Sequence, residues 1–381
     1  MKRKFAALMA LVLLFSGIGA LPVMGQEELS VSAPAGILMD GESGEVLFEK
    51  NAHEQRPCAS ITKVMTLLLV FEALDRGDIT LTQELTASQH AASMGGSDIW
   101  LKAGESMSVD DLIKATVIMS ANDAAVVLAE GVSGSETAFI EEMNRRGGQL
   151  GMADTVFKNC NGLDEEGHIT SAYDVALMSR ELIKHKDIAN YTTIWMDYLR
   201  DGETQLVNTN KLLKSYDGIT GLKTGTTSKA GSCITATAKR GDLGLIAVVL
   251  GADSTDNRFK DASALLDYGF GNWKVTVPQT PYLPEAEIKG GMKKFIQAEI
   301  PDAPSILLRT GENTEIVPNQ ELMENLTAPI EEGEIIGKVT YLSGETVLRE
   351  DYIYAAETVE AITFKNSFMY YLNGIFSGAQ R

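Results

Sequence analysis

Residues 61–74 read ITKVMTLLLVFEAL, and no other stretch constrains the chain as much. Its apolar positions fill more than one face of a helical repeat. Such a helix has to be enclosed by other elements at the centre of a domain. Lys63 stands at the head of the run, and Ser60 lies three residues before it. Positions i and i+3 share a helix face, which brings Oγ and Nζ within hydrogen-bond reach. A serine hydroxyl is a weak nucleophile until a base takes its proton. Lysine can be that base only when desolvation or a second cation lowers its pKa. The apolar run supplies the desolvation, so the lysine stands where it can be neutral. Serine three before lysine is common in a chain of average composition, and the pair gains meaning only from what accompanies it.

At 381 residues the chain is long enough for two domains, and 44% apolar with 22% charged residues makes it globular. Lys2, Arg3 and Lys4, then FAALMALVLLF and small residues through Gly25, read as a signal peptide over residues 1–25 cleaved before Gln26. The apolar core is shorter than the ~20 residues of a membrane span. The formal charge is −19, and removing those three cations takes it to −22. A domain this acidic is a poor binder of nucleic acid, and no nucleic-acid partner is expected. Three cysteines (Cys58, Cys160, Cys233) cannot form a complete internal disulfide set in an exported chain, and they read as small packing residues. His53, His90, His168 and His185 lie far apart without paired ligand spacing, so neither a metal site nor another cofactor is expected.

The periodicity predicts a β-hairpin over 35–50, the central helix opened by Ser60, and a helix over 108–119 capped by Ser108 with Asp111. Further helices are predicted from DAAVVLAEGV, from SETAFIEEMNRRGGQLGM and over 171–185, the last capped by Ser171 with Asp174. GLKTGT, SCITATAKR and LGLIAVVLGA read as three late strands, the last two joined at residues 241–242, before a helix over 260–273. Strands at both ends with helices between predict an antiparallel sheet packed against a helical cluster, an α+β fold, over residues 26–276. Three prolines in VPQTPYLPE mark a boundary. Short alternating segments then predict a small β-rich domain over 280–364, followed by an aromatic, amphipathic tail over 366–381.

Two more motifs carry polar chemistry. SAND (120–123) sits between two helices, where Ser120 offers a hydroxyl relay and Asn122 an amide able to hold both a lysine and a substrate carbonyl. Alone, SAND reads more readily as an Asn or Asp helix cap. KTGTT (223–227) lies on the first late strand. Lys223 supplies a cation and Thr224 a hydroxyl, and Gly225 lets a substrate backbone approach the strand edge.

The ordered trio SITK, SAN and KTG resembles the penicillin-recognising serine enzymes. More narrowly, the chain resembles the low-molecular-mass penicillin-binding proteins, the serine-type D-Ala-D-Ala carboxypeptidases. The likeness covers ASITKVMT, SANDAAVVLAE, NGLD (161–164), SAYDVALM, NTNKLL (208–213), GLKTGTT followed by KAG, and Arg258, over about residues 30–275. It implies a β-lactamase/transpeptidase-like domain, then the small all-β domain and the tail. It also implies a mechanism. Ser60 attacks the carbonyl between the last two D-alanines of a peptidoglycan stem pentapeptide, with Lys63 as base. Backbone N–H groups of Ser60 and Thr226 form the oxyanion hole. Ser120, with Lys63 and Lys223, passes a proton to the leaving nitrogen, and Thr224 and Arg258 hold the terminal carboxylate. β-Lactams, mimics of that terminus, would acylate Ser60 as covalent inhibitors. Some relatives carry a histidine directly after KTG. Thr226 stands there in this chain, which leaves a backbone contact intact and bears on substrate preference. The tail resembles an anchor on the outer face of the cytoplasmic membrane, with Phe368, Tyr371, Leu372, Ile375 and Phe376 toward lipid. Two other readings share these motifs. One is a serine β-lactamase, with Glu165 or Glu166 as a dedicated deacylation base. The other is a non-catalytic wall-binding protein of the same fold.

Overall fold

The computed structural model describes residues 29–301, 305–312 and 315–369. The predicted signal peptide lies outside them. The expected hairpin forms from β1 (Ala35–Asp40) and β2 (Val46–Lys50), paired antiparallel from Gly36 opposite Lys50. Three late strands follow in the chain: β3 (Ile219–Thr227), β4 (Gly231–Arg240) and β5 (Leu243–Ala252). The sheet order is β2-β1-β5-β4-β3, antiparallel throughout, so the first hairpin closes onto the last strand. Alternation in β1 and β5 sorts side chains to two faces. Ile37, Met39, Ile246 and Val248 join the core on one side, while Leu38, Leu245, Ala247 and Val249 join that on the other.

The first face receives α1 (Lys63–Asp75), of whose 13 residues ten are buried, and this all-round burial is what its composition demanded. Ser60 precedes it in a 3-10 turn over Ala59–Thr62, so the nucleophile candidate sits on the entry turn rather than on the helix proper. The second face is covered by α6 (Thr255–Asn272), which starts earlier than its periodicity suggested because Ser254 Oγ accepts Asn257 N–H.

Between these lie α2 (Val109–Lys114), α3 (Asn122–Ser133), α4 (Glu136–Gln149) and α5 (Ala172–Leu182). Ser108 caps α2 and Ser171 caps α5, each accepting the N–H three residues on, as the sequence indicated. The helix predicted through residue 119 changes character. From Ala115 to Met119 it widens into one π turn, and it ends at Ser120 in the left-handed region (φ 64°, ψ 31°). Such single wide turns concentrate at functional positions.

After α6, β6 (Trp273–Thr276) pairs antiparallel with β7 (Ile306–Arg309), so the chain is tied to the second unit before the prolines begin. A four-stranded antiparallel sheet contains β8 (Val317–Leu322), β9 (Ile335–Ser343) and β10 (Thr346–Ala355). Its core includes Ile296, Ile336, Val339, Tyr341 and Ile353. Sequence reasoning missed β8. VPNQEL shows no apolar alternation and contains Pro318, both tolerated because β8 is an edge strand. Residues 364–369 are helical, with Phe364 88% exposed and its ring stacked on Phe368. Tyr371, Leu372, Ile375 and Phe376 lie outside the described residues. Among the described residues no helix is long and apolar enough to cross a membrane.

Candidate active site

Lys63 is fully buried, and its Nζ lies 3.1 Å from Ser60 Oγ, 2.5 Å from Asn122 Oδ1 and 2.7 Å from the Asn161 carbonyl oxygen. An ammonium can donate to all three. A neutral amine donates to Asn122 and Asn161 and turns its lone pair to the Ser60 hydroxyl, the arrangement a general base needs. Burial pushes this amine down to about 7, against the opposing pull of Asp98 and Asp123. Burial also pushes the Cys160 thiol well above its ordinary range, so at neutral pH it offers Lys63 no charge.

The turn bearing Ser60 is braced from behind. His168 Nδ1 accepts Lys158 N–H at 3.0 Å, which leaves the proton on Nε2, 2.7 Å from Thr62 Oγ1. Thr62 Oγ1 in turn donates to Ala59 O at 2.9 Å. Burial holds this imidazole neutral, with its pKa lowered to about 4. Gly162 lies against the same turn. A Cβ there would stand 2.0 Å from Ala59 O, and its φ of +86° suits glycine alone.

Asn122 is the first residue of α3 and does not cap it. Its Nδ2 donates to Gly95 O at 2.7 Å while Oδ1 takes Lys63, so the amide is not spent on capping, and it is Asp123 Oδ1 that accepts a first-turn N–H, that of Ala124, at 2.8 Å. The Ser120 hydroxyl is buried with no hydrogen-bond partner among the described residues. On β3, a Cβ at Gly225 would meet Cys58 O and Ser60 N at 2.8 Å and Ile61 N at 2.9 Å, so only a glycine lets the strand edge pass the Ser60 turn. Lys223 Nζ donates to Thr224 O at 2.9 Å. Burial, then the neighbouring charges of Lys63 and Arg258, hold its amine well below the ordinary lysine range. Thr224 Oγ1 shares a 2.6 Å hydrogen bond with Thr209 Oγ1.

Arg258 is buried on α6 behind β3. Its Nη1 donates to Thr226 Oγ1 at 2.8 Å, Gly225 O at 3.2 Å and Cys233 O at 3.4 Å. The guanidinium therefore reaches the cleft through the exposed Thr226. KTG thus packs on the Ser60 turn through Gly225, and SAN joins the pair through Asn122 on Lys63. Sequence reasoning assigned no role to Asn161, Thr209 or His168. Asn161 acts through its main-chain oxygen, which side-chain chemistry cannot announce, and His168 and Thr62 lie too far apart in sequence to be seen as a pair. The three cysteines are free and buried, as expected of packing residues. Glu165 and Glu166 are exposed, and Glu165 Oε2 accepts from Asn159 Nδ2 at 3.1 Å.

A hydroxyl beside a buried amine, under an open strand edge on an antiparallel sheet, equips a serine enzyme for acyl transfer. Family comparison narrows that class. Residues 23–254 match the D-alanyl-D-alanine carboxypeptidase family, and residues 279–361 match the C-terminal domain of penicillin-binding protein 5. The chain belongs to the D-alanyl-D-alanine carboxypeptidases. It is 40% identical over 343 residues to the D-alanyl-D-alanine carboxypeptidase DacF of Bacillus subtilis, covering 88% of each chain. It is 35% identical to DacC of Escherichia coli, covering 91% of this chain and 89% of that one. Among solved structures, penicillin-binding protein 5 of Haemophilus influenzae superposes with a TM-score of 0.75 at 29% identity, covering 88% of this chain and all of that one. Penicillin-binding protein D2 of Listeria monocytogenes, in its ampicillin-bound form, matches with a TM-score of 0.59 at 36% identity over 64% of this chain and 99% of that one.

Proposed function

We propose that this protein is an exported serine-type D-Ala-D-Ala carboxypeptidase that removes the terminal D-alanine from peptidoglycan stem pentapeptides through an acyl-enzyme on Ser60. The observation that carries this reading is the Lys63 amine, fully buried and shared between Ser60 and Asn122. Ser60 gives its proton to neutral Lys63, and Oγ bonds to the carbonyl carbon of the penultimate D-Ala. The backbone N–H groups of Ser60 and Thr226 receive the charge that develops on the carbonyl oxygen. The C–N bond then breaks, and the leaving nitrogen takes a proton relayed from Lys63 through Ser120, whose hydroxyl is free of other partners among the described residues. Water hydrolyses the ester and returns the proton to Ser60. Asn122 and Gly225 guide the substrate backbone. Thr224 and Thr226 hold the terminal carboxylate with Lys223 alongside, and Arg258 supplies positive charge from behind Thr226.

β-Lactams place a strained amide where the scissile bond lies and act as covalent inhibitors, as the ampicillin-bound relative supports. The division into a signal peptide (1–25), a catalytic domain (26–276), a β-rich domain (280–364) and a membrane-associating tail (366–381) accompanies this reading and locates the enzyme outside the cytoplasmic membrane. Mass spectrometry of pentapeptide muropeptides incubated with purified protein tests it. The expected product lacks one D-alanine, and Ser60→Ala yields none. Rapid, sustained hydrolysis of a chromogenic cephalosporin, with no D-alanine released from muropeptides, would overturn it.

A further inference from the structure

Ile99, Trp100 and Leu101 lead toward the SAN loop, and their backbone is fastened on several sides. Ile99 N–H and Leu101 N–H donate to the buried Asp123 carboxylate at 3.2 and 3.0 Å. Arg200 Nη1 donates to Ile99 O at 3.0 Å, and Asn122 N–H reaches Ser97 O at 2.6 Å. Ile99 and Leu101 are buried, whereas Trp100 between them is 72% exposed. Trp100 also holds φ +54°, a backbone state a bulky residue occupies only when its surroundings impose it. Core packing accounts for neither feature. A shallow, open depression of about 680 Å³ is lined by Trp100 and, among others, by Glu105, Arg200 and Thr204, with Arg200 donating to Glu105 at 2.8 Å and to Thr204 at 2.9 Å. An exposed aromatic side chain on a fastened backbone, beside a few placed polar groups, suits a sugar, whose C–H face lies on the ring while its hydroxyls find the rim.

The patch is continuous with the site. Asp123 follows Asn122, whose Oδ1 takes the Lys63 hydrogen, and its own carboxylate takes Leu101 N–H, so Trp100 is linked to the catalytic amine through two hydrogen bonds and two peptide units. In a stem pentapeptide four residues separate the attacked carbonyl from the glycan, a reach of roughly 13–14 Å when extended. The short chain of links through Asn122 and Asp123 sets an upper bound of the same order on the separation of Trp100 from the amine.

We propose that Trp100 is a stacking platform for an N-acetylated amino-sugar ring of the glycan strand that carries the stem peptide, with Glu105, Arg200 and Thr204 as its polar rim. This rests on the carboxypeptidase reading. The test compares D-alanine release from an acetylated pentapeptide without sugar and from the same pentapeptide on its N-acetylglucosamine–N-acetylmuramic acid disaccharide. In Trp100→Ala the ratio of kcat/KM, glycan-bearing over sugar-free, is expected to fall roughly 3- to 10-fold, and Trp100→Phe is expected to restore most of it. An unchanged ratio, including one in which both substrates lose equally, overturns the proposal. A second readout does not depend on turnover. Titrating Ser60→Ala protein with the peptide-free disaccharide should change tryptophan emission saturably, and adding Trp100→Phe should remove that change. A signal surviving Trp100→Phe overturns the platform. If no D-alanine leaves either peptide with wild-type protein, the carboxypeptidase reading falls, and the titration still decides the sugar site.

Discussion

Lys63 shows how one residue can be expensive and indispensable together. Charged, it would be an ammonium in a core; neutral, it can take a proton from Ser60 while still donating to Asn122 and Asn161. Its pKa of about 7 makes the base form the minority below that pH and the majority above it. Acylation by fluorescent penicillin should therefore rise as pH is raised through about 7 and then level off; a flat profile from pH about 5 to 9 would remove Lys63 from the base role. Ser60→Ala and Lys63→Ala should each cut acylation on the order of 10⁴-fold or more without unfolding the protein, because the two act as a unit. His168 acts at one remove. Replacing it by alanine strips partners from Thr62 Oγ1 and the Lys158 N–H, at a cost of about 1–3 kcal/mol that thermal unfolding would register. If His168→Ala melted like the wild type, the brace behind the Ser60 turn would carry no weight.

At the scale of elements, strong periodicity was enough to read the sheet and most helices. The β1–β2 hairpin, the three late strands and the serine-capped α2 and α5 all follow from alternation, turn residues and caps, because in those segments local preference and tertiary burial agree. The motif residues were legible for a different reason: their order along the chain resembled a known family. What stayed hidden was set by packing at a distance. The 3-10 entry to α1, the main-chain oxygen of Asn161 and the edge strand β8 leave no periodic trace. Gly162 is the plainest case, since its need for glycine comes from Ala59, a hundred residues earlier. Gly162→Ala should push the NGLD loop off the Ser60 turn and slow penicillin acylation roughly 10²-fold while the circular dichroism spectrum holds. Wild-type acylation in that variant would show that the two loops do not depend on each other.

At the scale of the whole molecule, the acidic body and the aromatic tail pose a single question of how such a chain would hold to a surface. Cations near the tail are few, Lys365 and Arg381, and Phe364 and Phe368 present stacked rings to solvent. Attachment by this segment would draw on apolar burial more than on charge. Deleting residues 366–381 should free the protein from membrane vesicles with D-alanine release intact, and raised salt alone should not. Release by salt, or loss of activity in solution on deletion, would each count against a hydrophobic anchor.

The wide turn at 115–119 carries a lesson for anyone who would engineer this enzyme. Taking one residue out of it would restore regular helical bonding and, by the usual rules, make a sturdier helix. It would also swing Ser120 and the start of α3 about a third of a revolution away from Lys63. Selection for heat tolerance alone would tend to find such a deletion, and the survivors would be durable proteins in which Asn122 no longer meets Lys63.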